Sequence, residues 1–236
     1  MTVSVAARSL REQAAWACRI LALEGYADLT LGHVSIRDGH GDNVYIKRKG
    51  VALDEVGPHD VVAVDDPEAT LHLETVLHTE IYKVRPDVGA VVHGHPPYAT
   101  AFAATDAELE LLTHDAVLFS AGIAVFDDTF SLVTDEEQGR AVAAALGSRR
   151  AVILRNHGVV IADRDVRWAV LSAVTLERAI RLQSIASTLG GLRPIPTDRA
   201  EEMFADKYQD RFLDEYWEAW IRKARRAGAD EGMPPE

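Results

Sequence analysis

The stretch that decides the fold is residues 88–97, VGAVVHGHPP, an apolar run that ends in two histidines and two prolines. Small and β-branched residues bounded by prolines are typical of a buried strand. Side chains two residues apart in a strand point to the same face, so the imidazoles of His93 and His95 leave the strand end together. Two imidazoles at this spacing can bind one divalent metal ion, and ordinary hydrogen-bonded core histidines show the same pattern.

The composition narrows the class of protein. The chain has 236 residues, which fits one large domain or at most two. Its 25 Lys and Arg residues against 37 Asp and Glu residues give a net charge of −12, which argues against nucleic acid or a membrane surface as a partner. The single cysteine, Cys18, excludes a disulfide within the chain. We find no signal-peptide pattern and no apolar stretch near ~20 residues, so we expect a cytoplasmic protein.

Hydrophobic periodicity predicts short strands that alternate with helices, and therefore a sheet covered by helices on both faces. The predicted strands are 29–37, 44–47, 61–64, 88–93, 117–125, 151–154 and 159–162. The predicted helices are 5–24, 71–84, 97–104, 134–146, 166–189 and 199–227, with Thr134 as the cap of the fourth. We expect residues 1–228 to form a single domain and residues 229–236 to form a disordered tail.

A third ligand and a base are needed for a catalytic metal site. His157 lies in the sequence Asn-His-Gly at 156–158, between two apolar strands, where it is either a turn histidine or a third ligand. Three histidines that leave one position open form a common catalytic zinc arrangement. Glu74 and His78 are four residues apart on one predicted helix and so share a face. Glu74 is either a solvated charge or the base of such a site.

These residues carry a family resemblance. The stretch 74–96, from Glu74 to the proline after His95, closely resembles the class II aldolase/adducin family. Residues 32–35, GHVS, and 156–158, NHG, match the other two landmarks of that family in the right order. The resemblance covers roughly residues 10–220, and three separated motifs agree.

The resemblance implies a fold and a reaction. The fold is an α/β three-layer α/β/α sandwich with a central mixed, largely antiparallel sheet, usually in a homotetramer with active sites at subunit interfaces. His93, His95 and His157 would bind one divalent ion per subunit, usually Zn²⁺, with Mn²⁺, Co²⁺ or Fe²⁺ as other options. Glu74 would be the catalytic acid/base. Such an ion acts as a Lewis acid and stabilises the enediolate that forms when a carbon–carbon bond breaks, so the predicted activity is that of a metal-dependent lyase.

Departures from the sugar-phosphate members of the family bear on the substrate. Those members often have paired serines just before the glutamate, where this chain has His72 and Leu73. The asparagine that also serves phosphate is replaced by His33, in the element that contains Ser35. Lys49 and His33 could instead bind a carboxylate, although Lys49 could equally be a solvated charge in a basic turn. We therefore predict decarboxylation or retro-aldol cleavage of a non-phosphorylated hydroxy- or keto-acid, aromatic acids included.

Further substrate-binding residues are predicted with less support from the pattern. His78 shares the helix face of Glu74. Family aldolases often use tyrosines as proton donors, one near the C-terminus and one from a neighbouring subunit, which makes Tyr208 a candidate. His114 lies next to an aspartate in a loop that could reach a neighbour's site, and a surface turn is the simpler interpretation. Packing on the last helix is the simpler role for Tyr208.

Two alternatives remain open at this stage. The chain could be a sugar-phosphate aldolase or an epimerase of the same family, since both use the metal histidines. It could also be a non-catalytic interaction module like the adducin head, although the presence of Glu74 and of all three histidines argues against this. A redox-active iron in the same site would allow oxygenase chemistry.

Overall fold

A seven-stranded sheet forms the centre of the protein, in a computed structural model that describes residues 8–39, 43–129 and 131–235. The strands are β1 His33–Arg37, β2 Val44–Lys47, β3 Val61–Ala63, β4 Ala90–Gly94, β5 Ala124–Phe126, β6 Ala151–Leu154 and β7 Gly158–Asp163. Their spatial order is β3-β2-β1-β4-β7-β6-β5. Neighbours are antiparallel except for the parallel pair β5 and β6, which confirms the predicted mixed, largely antiparallel sheet.

Helices cover both faces of this sheet. They are α1 Leu10–Leu21, α2 Val76–Val84, α3 Pro97–Ala103, α4 Glu136–Leu146, α5 Val166–Leu189, α6 Thr197–Lys207 and α7 Asp210–Arg226. One apolar core lies against α1, α3, α5 and α7, and a second lies against α2 and α4. The strands supply both cores because their side chains alternate: Val92 belongs to the first and Val91 to the second. The predicted α/β/α sandwich is confirmed.

The central strand β4 places the polar residues. Because Val91 belongs to the core beneath α2, His93 points to the same face of the sheet two residues later. In the registers with the adjacent strands, His93 lies opposite His33 on β1 and opposite Val160 on β7. The end of β4 therefore lies beside His33 of β1, and beside the start of β7, which His157 directly precedes.

Several element boundaries differ from the sequence prediction; β1, for example, begins at His33 and not at residue 29, and α2 begins at Val76 and not at residue 71. The predicted strand 117–125 is a 3₁₀ turn, Ala116–Phe119, followed by β5, and Gly122 between them has a φ of 76° that ends regular structure. The predicted last helix is two helices, because Tyr208 leaves helical geometry at ψ 80°. The cap of α4 is Asp135, whose side chain accepts a hydrogen bond from Gln138, and not Thr134.

Both chain ends also differ from the prediction where the structure describes them. Helix α1 begins at Leu10 behind a capping box of Ser9 and Glu12, and residues 5–7 of the predicted helix lie outside the described residues. Residues 229–235 form turns against the protein: Arg19 donates to the carbonyl of Glu231 at 2.8 Å, and Met233 packs against the core. These contacts are at odds with the expected disorder, and residue 236 lies outside the described residues. Within the described segments, no helix has the length and apolar character to cross a membrane.

Candidate metal centre

Three histidines converge where β4 and β7 meet. His93 is the second-last residue of β4, His95 directly follows the strand, and His157 lies in the short connection between β6 and β7. One ring nitrogen from each lies within 4.8 Å of the others. The ring centroids are 4.9–5.1 Å apart. The structure thus brings together the three side chains that the sequence proposed as metal ligands.

The β6–β7 connection can hold His157 there because of two backbone features. Asn156 adopts a φ of 56°, a left-handed conformation that asparagine tolerates and that lets a three-residue connection close. Gly158 passes very close to β4: a Cβ atom there would lie 2.6 Å from the Gly94 oxygen and 2.7 Å from Cδ2 of His95. Only glycine permits this approach, so the Asn-His-Gly sequence is explained by packing against the β4 end.

Hydrogen bonds orient two of the imidazoles. His93 Nδ1 lies 3.1 Å from the carbonyl oxygen of Val159, and His95 Nδ1 lies 2.9 Å from the carboxylate of Asp28. Both oxygens can only accept, so each Nδ1 carries the hydrogen and each Nε2 is left with a free lone pair. Both Nε2 atoms are buried and have no hydrogen-bond partner among the described residues. Metal-binding histidines have this second-shell arrangement.

Glu74 completes the cluster. It lies in the 3₁₀ turn Leu73–Thr75 that leads into α2, and its side chain is 11% exposed. Its Oε2 atom is 3.5 Å from His93 Nε2 and 3.7 Å from His157 Nε2, and Oε1 accepts from the backbone N–H of Val133 at 3.3 Å. A carboxylate that faces a bare, buried nitrogen needs a cation between them. The donor set of three imidazoles and one carboxylate fits a divalent metal ion.

A layer of buried polar groups lies behind the centre. His33 Nδ1 is 2.6 Å from His78 Nε2, and His78 Nδ1 is 2.6 Å from Ser35 Oγ. Ser35 Oγ also lies 2.9 Å from Tyr82 Oη. Ser35 and His78, which the sequence proposed as substrate-binding residues, are fully buried, and their hydrogen bonds run to each other, to His33 and to Tyr82. They support His33, whose ring centroid is 5.0 Å from that of His93.

The lysine that lies beside His33 and His72 is Lys47, whereas Lys49 is exposed, and its role in substrate binding stays a prediction. Lys47 is completely buried and donates from Nζ to the Thr30 carbonyl at 3.0 Å and to His72 Nε2 at 3.2 Å. His72 in turn packs against His33, with centroids 4.4 Å apart. Lys49 is exposed beyond the end of β2, where side chains no longer alternate into the fold, and its backbone N–H binds the carbonyl of Thr70.

Two further candidates lie apart from the histidine cluster in this chain. His114 is exposed in the loop before the 3₁₀ turn Ala116–Phe119. The hydroxyl of Tyr208 donates to the Asp115 carbonyl at 2.7 Å, so this phenol is already engaged. Tyr208 lines a surface cavity between α5 and α7, and none of the described residues that line it belongs to the metal centre. The fold uses Tyr208 to join α6 to the loop at residue 115.

Burial keeps the imidazoles of this region neutral. Burial, reinforced by the neighbouring His93, lowers the pKa of His157 to about 4. Burial and the adjacent Lys47 lower the pKa of His72 to about 4 as well. The pKa values of His33 and His78 are lowered well below the ordinary value, again chiefly by burial. Neutral imidazoles are the form that binds metal ions, so near neutral pH His157 requires no deprotonation.

The pKa of Glu74 is shifted in the opposite direction to that of an isolated buried acid. Burial by itself would raise the pKa of Glu74, but the imidazoles of His93 and His157 outweigh that effect and hold the pKa below its ordinary value. Glu74 is therefore ionised at neutral pH. An ionised carboxylate beside three imidazoles makes the centre attractive to a divalent cation.

These pKa values predict that the metal-free protein loses stability on mild acidification. His157 and His72 have folded-state pKa values of about 4 against an ordinary 6.5, so between these values the unfolded chain binds more protons than the folded chain. The free energy of unfolding should then fall as pH is lowered from about 6.5 to about 4. Denaturant titrations in the presence of a chelator at pH 7, 6 and 5 measure this.

A matched variant makes the pH test specific. His157→Gln removes one of the groups with a depressed pKa, so its loss of stability from pH 7 to pH 5 should be smaller than that of the wild-type protein. His59→Gln removes a histidine whose side chain is 78% exposed, and the wild-type pH dependence should persist. A wild-type free energy of unfolding that stays constant across this range would contradict the assigned burial effect.

Sequence reasoning missed several residues of the region. Asp28, the partner of His95, belongs to no motif and lies 67 residues away in the chain. Tyr82 could have been found, because Glu74, His78 and Tyr82 follow one another at intervals of four along one helical face. No local pattern singles out Lys47, because alternation along β2 turns it to the face opposite the buried Ile46.

Several known proteins are similar to this chain in sequence or in fold. The family model described as Class II Aldolase and Adducin N-terminal domain matches residues 12–184. The 3,4-dihydroxyphthalate decarboxylase of Arthrobacter keyseri is 33% identical over 211 residues, which are 81% of this chain and 85% of that protein. A crystal structure of an aldolase II superfamily protein from Pseudomonas syringae has a TM-score of 0.81 at 26% identity, covering 97% of this chain and 99% of that one.

A further relative is longer than this chain. The 4-hydroxy-3-prenylphenylpyruvate oxygenase/4-hydroxy-3-prenylbenzoate synthase of Streptomyces roseochromogenus subsp. oscitans is 32% identical over 178 residues, 72% of this chain. The matched part spans 64% of that protein's own length. The family model covers the segment that contains all three histidines and Glu74. The chain therefore belongs to the Class II Aldolase and Adducin N-terminal domain family.

Proposed function

We propose that this protein is a divalent-metal-dependent carbon–carbon lyase that decarboxylates a non-phosphorylated hydroxy- or keto-carboxylic acid, with an aromatic acid as the favoured class. One observation carries the proposal. The lone pairs of His93 and His95 converge on the centre beside His33, and Lys47 and His72 lie behind it. At the sequence positions where sugar-phosphate members often have paired serines, this chain has His72 and Leu73, and the Lys47 amine lies 3.2 Å from His72.

The metal ligands in this proposal are His93, His95 and His157. Three imidazole nitrogen donors with a position left open favour Zn²⁺, and the same donors also accept Mn²⁺, Co²⁺ or Fe²⁺. When bound, the ion would act as a Lewis acid towards the oxygen atoms of the substrate. Asp28 and the carbonyl of Val159 hold two of the rings in the orientation that binding requires.

The groups around His33 favour a carboxylate substrate. The ammonium of Lys47 is buried 3.2 Å from His72, and no carboxylate is hydrogen-bonded to it among the described residues. A buried cation without a paired anion creates a positive potential in its surroundings. The relative from Arthrobacter keyseri is named for an acid whose ring bears adjacent hydroxyls and carboxylates, and that chemistry matches this environment.

Glu74 is the proposed acid/base. When a carboxyl group leaves as carbon dioxide, the electron pair remains on the carbon atom, which must then receive a proton. Because Glu74 is ionised near neutral pH, it would first take a proton from a hydroxyl group of the substrate and then return it to that carbon, and the deprotonated hydroxyl of the product would regain a proton from water. Glu74 lies 3.5 Å from His93 and 3.7 Å from His157, so it is next to any substrate held at the open position. A positioned carboxyl group of this kind contributes about 10²–10⁴-fold to rate.

A substrate panel tests the proposal. The purified protein, loaded in turn with Zn²⁺, Mn²⁺ and Fe²⁺, is incubated with ortho-hydroxylated benzoates, dihydroxyphthalates, 2-keto acids and phosphorylated ketoses. We expect carbon dioxide release from at least one free acid and no cleavage of the phosphorylated sugars. Turnover confined to phosphorylated ketoses would reject the proposal in favour of a sugar-phosphate aldolase.

The same panel also tests whether the protein has oxygenase activity. One relative carries the name of an oxygenase, and Fe²⁺ would be the ion for that chemistry. Oxygen consumption that depends on Fe²⁺ and on the acid would favour this second candidate over simple decarboxylation. A chain that binds none of these ions would instead favour a non-catalytic interaction module.

We also propose that the protein is a homo-oligomer, with a tetramer as the favoured state. Large apolar side chains are exposed on the segments that hold the site: Leu29 is 83% exposed, Leu73 is 63% exposed and Leu132 is 52% exposed. These leucines adjoin Asp28, Glu74 and Val133 in sequence. Exposed apolar side chains that surround a polar site are typical of surfaces covered by another subunit or by a ligand.

A further inference from the structure

A buried chain of hydrogen bonds runs from α2 to the metal centre. Its links are Tyr82 Oη to Ser35 Oγ at 2.9 Å, Ser35 Oγ to His78 Nδ1 at 2.6 Å, and His78 Nε2 to His33 Nδ1 at 2.6 Å. Tyr82 is 6% exposed, His33 is 2% exposed, and the other two are fully buried. Because the atoms are shielded from water, each hydrogen must lie in one of these bonds.

The tyrosine sets the direction of the chain. Its oxygen accepts from the backbone N–H of Val91, and burial raises the pKa of Tyr82, so the phenol keeps its hydrogen. That hydrogen needs an acceptor, and Ser35 Oγ is the acceptor that the described residues offer. Ser35 must then donate its own hydrogen to His78 Nδ1.

The direction propagates to His33. A His78 ring that accepts at Nδ1 carries its hydrogen at Nε2 when it is neutral, and burial keeps it neutral by lowering its pKa. That hydrogen is donated to His33 Nδ1, so Nδ1 of His33 is an acceptor. Neutral His33 is then left with its hydrogen on Nε2. The reverse order would leave the hydrogen of the Tyr82 phenol without an acceptor among the described residues.

We infer that His33 presents an Nε2–H group on the side of the metal centre and donates its hydrogen to an anionic oxygen of the substrate. Tyr82, Ser35 and His78 are then positioning residues that fix this tautomer of His33. The inference deepens the proposed function and rests on it for the identity of the acceptor. Nε2 of His33 has no hydrogen-bond partner among the described residues, so it is free for such a contact.

The tautomer of His33 also decides which of two groups of side chains can bind a metal ion. Besides the three-histidine group, His33, Glu74 and His93 bring ligand atoms within 4.8 Å of one another. A ring nitrogen that carries hydrogen has no lone pair in the ring plane, and the other nitrogen of His33 is engaged by His78. His33 therefore cannot be a ligand, and the ion belongs with His93, His95 and His157.

Nitrogen-15 NMR of the histidine rings tests the tautomer without any turnover. The ring nitrogen that bears hydrogen resonates far from the bare one, and the His33 signals are assigned by their loss in His33→Gln. We expect hydrogen on Nε2 of His33 in the chelator-treated protein and in the Zn²⁺-loaded protein. Hydrogen on Nδ1, or a His33 signal that shows Zn²⁺ coordination, would overturn the inference.

Variants test the chain and the substrate contact. Ser35→Ala should mix the two tautomers of His33, whereas Tyr82→Phe keeps the serine donor and should have a smaller effect. Tyr26→Phe is the matched control, because it removes another buried phenol, bonded at 2.8 Å to the carbonyl of Ala173. It should leave the His33 signals unchanged. Unchanged His33 signals in a folded Ser35→Ala protein would contradict the chain.

The contact with the substrate has its own readout. His33→Ala should raise KM about 10- to 100-fold, the effect of losing one hydrogen bond to a charged group, with a smaller change in kcat. His33→Gln places an amide N–H where Nε2–H was, and should restore most of the affinity. Equal KM values for His33→Ala and the wild-type protein would overturn the contact.

The two proposals can fail separately. 2-Hydroxybenzoate serves as a binding probe, and it should perturb the His33 Nε2–H signal of the Zn²⁺-loaded protein whether or not it is turned over. If no acid in the panel is decarboxylated while the tautomer is as inferred, the proposed function fails and the tautomer stands. If an acid is turned over while the His33 signal is untouched by the probe, the contact fails alone.

Discussion

Replacing His157 with alanine should weaken Zn²⁺ binding by more than about 100-fold, the upper range for loss of a group that only supports a ligand. His157 supplies one of three nitrogens that lie within 4.8 Å of one another, and its loss leaves two imidazoles and Glu74. Turnover of any acid in the panel should fall to background at low Zn²⁺ concentrations. Titration of the chelator-treated protein with Zn²⁺, followed by calorimetry, measures the affinity.

The control for this prediction is His59→Ala. His59 has a side chain that is 78% exposed and lies outside the histidine cluster, so its replacement should leave Zn²⁺ affinity and turnover unchanged. Thermal unfolding of both variants in the presence of chelator checks that they are folded. Zn²⁺ affinity in His157→Ala within about tenfold of the wild-type value would mean that His157 is not a ligand.

Replacing Glu74 with glutamine should lower kcat by about 10²–10⁴-fold while the protein still binds Zn²⁺. The amide is nearly the same size as the carboxyl group but cannot exchange a proton near neutral pH. The three imidazoles are unchanged, and one of them, His93, keeps its hydrogen bond to the carbonyl of Val159. Steady-state kinetics on an acid that the wild-type protein decarboxylates, together with Zn²⁺ titration, separate the two effects.

Glu137→Gln serves as the comparison for this variant, since Glu137 is exposed in the first turn of α4 and takes no part in the histidine cluster. It should show wild-type kinetics. If Glu74→Gln retains more than about a tenth of wild-type kcat, another group moves the proton. If Zn²⁺ is lost together with activity, Glu74 acts mainly as a ligand.

Local patterns predicted the elements that carry the centre. The run before His93 read as a strand, and two residues of strand geometry place His93 and His95 at one strand end. Glu74 was predicted inside a helix and lies instead in the 3₁₀ turn Leu73–Thr75 just before α2, while the family resemblance implied the ligand set and predicted the α/β/α sandwich. Each of these inferences depends on neighbours within a few residues, where the geometry of strands and helices leaves little choice.

The sequence says less where a residue's role depends on distant partners. It pointed to Lys49 and did not single out Lys47, because it does not show where β2 ends and hence which lysine is buried. It proposed Ser35 and His78 as substrate-binding residues but did not show the hydrogen bond that joins them across 43 positions, nor their complete burial. Strand register and helix packing decide such contacts.

The sequence alone determined the chemistry that this protein has available: three histidines, one glutamate and the replacement of phosphate-binding residues by His72 and His33. The tertiary structure decided how that chemistry is used. It set Nε2 of His93 and His95 free by giving each Nδ1 an acceptor, from Val159 and from an aspartate 67 residues away. The physical reason is that residue types are local properties, while lone pairs and tautomers are fixed by hydrogen bonds between elements that only the folded chain brings together.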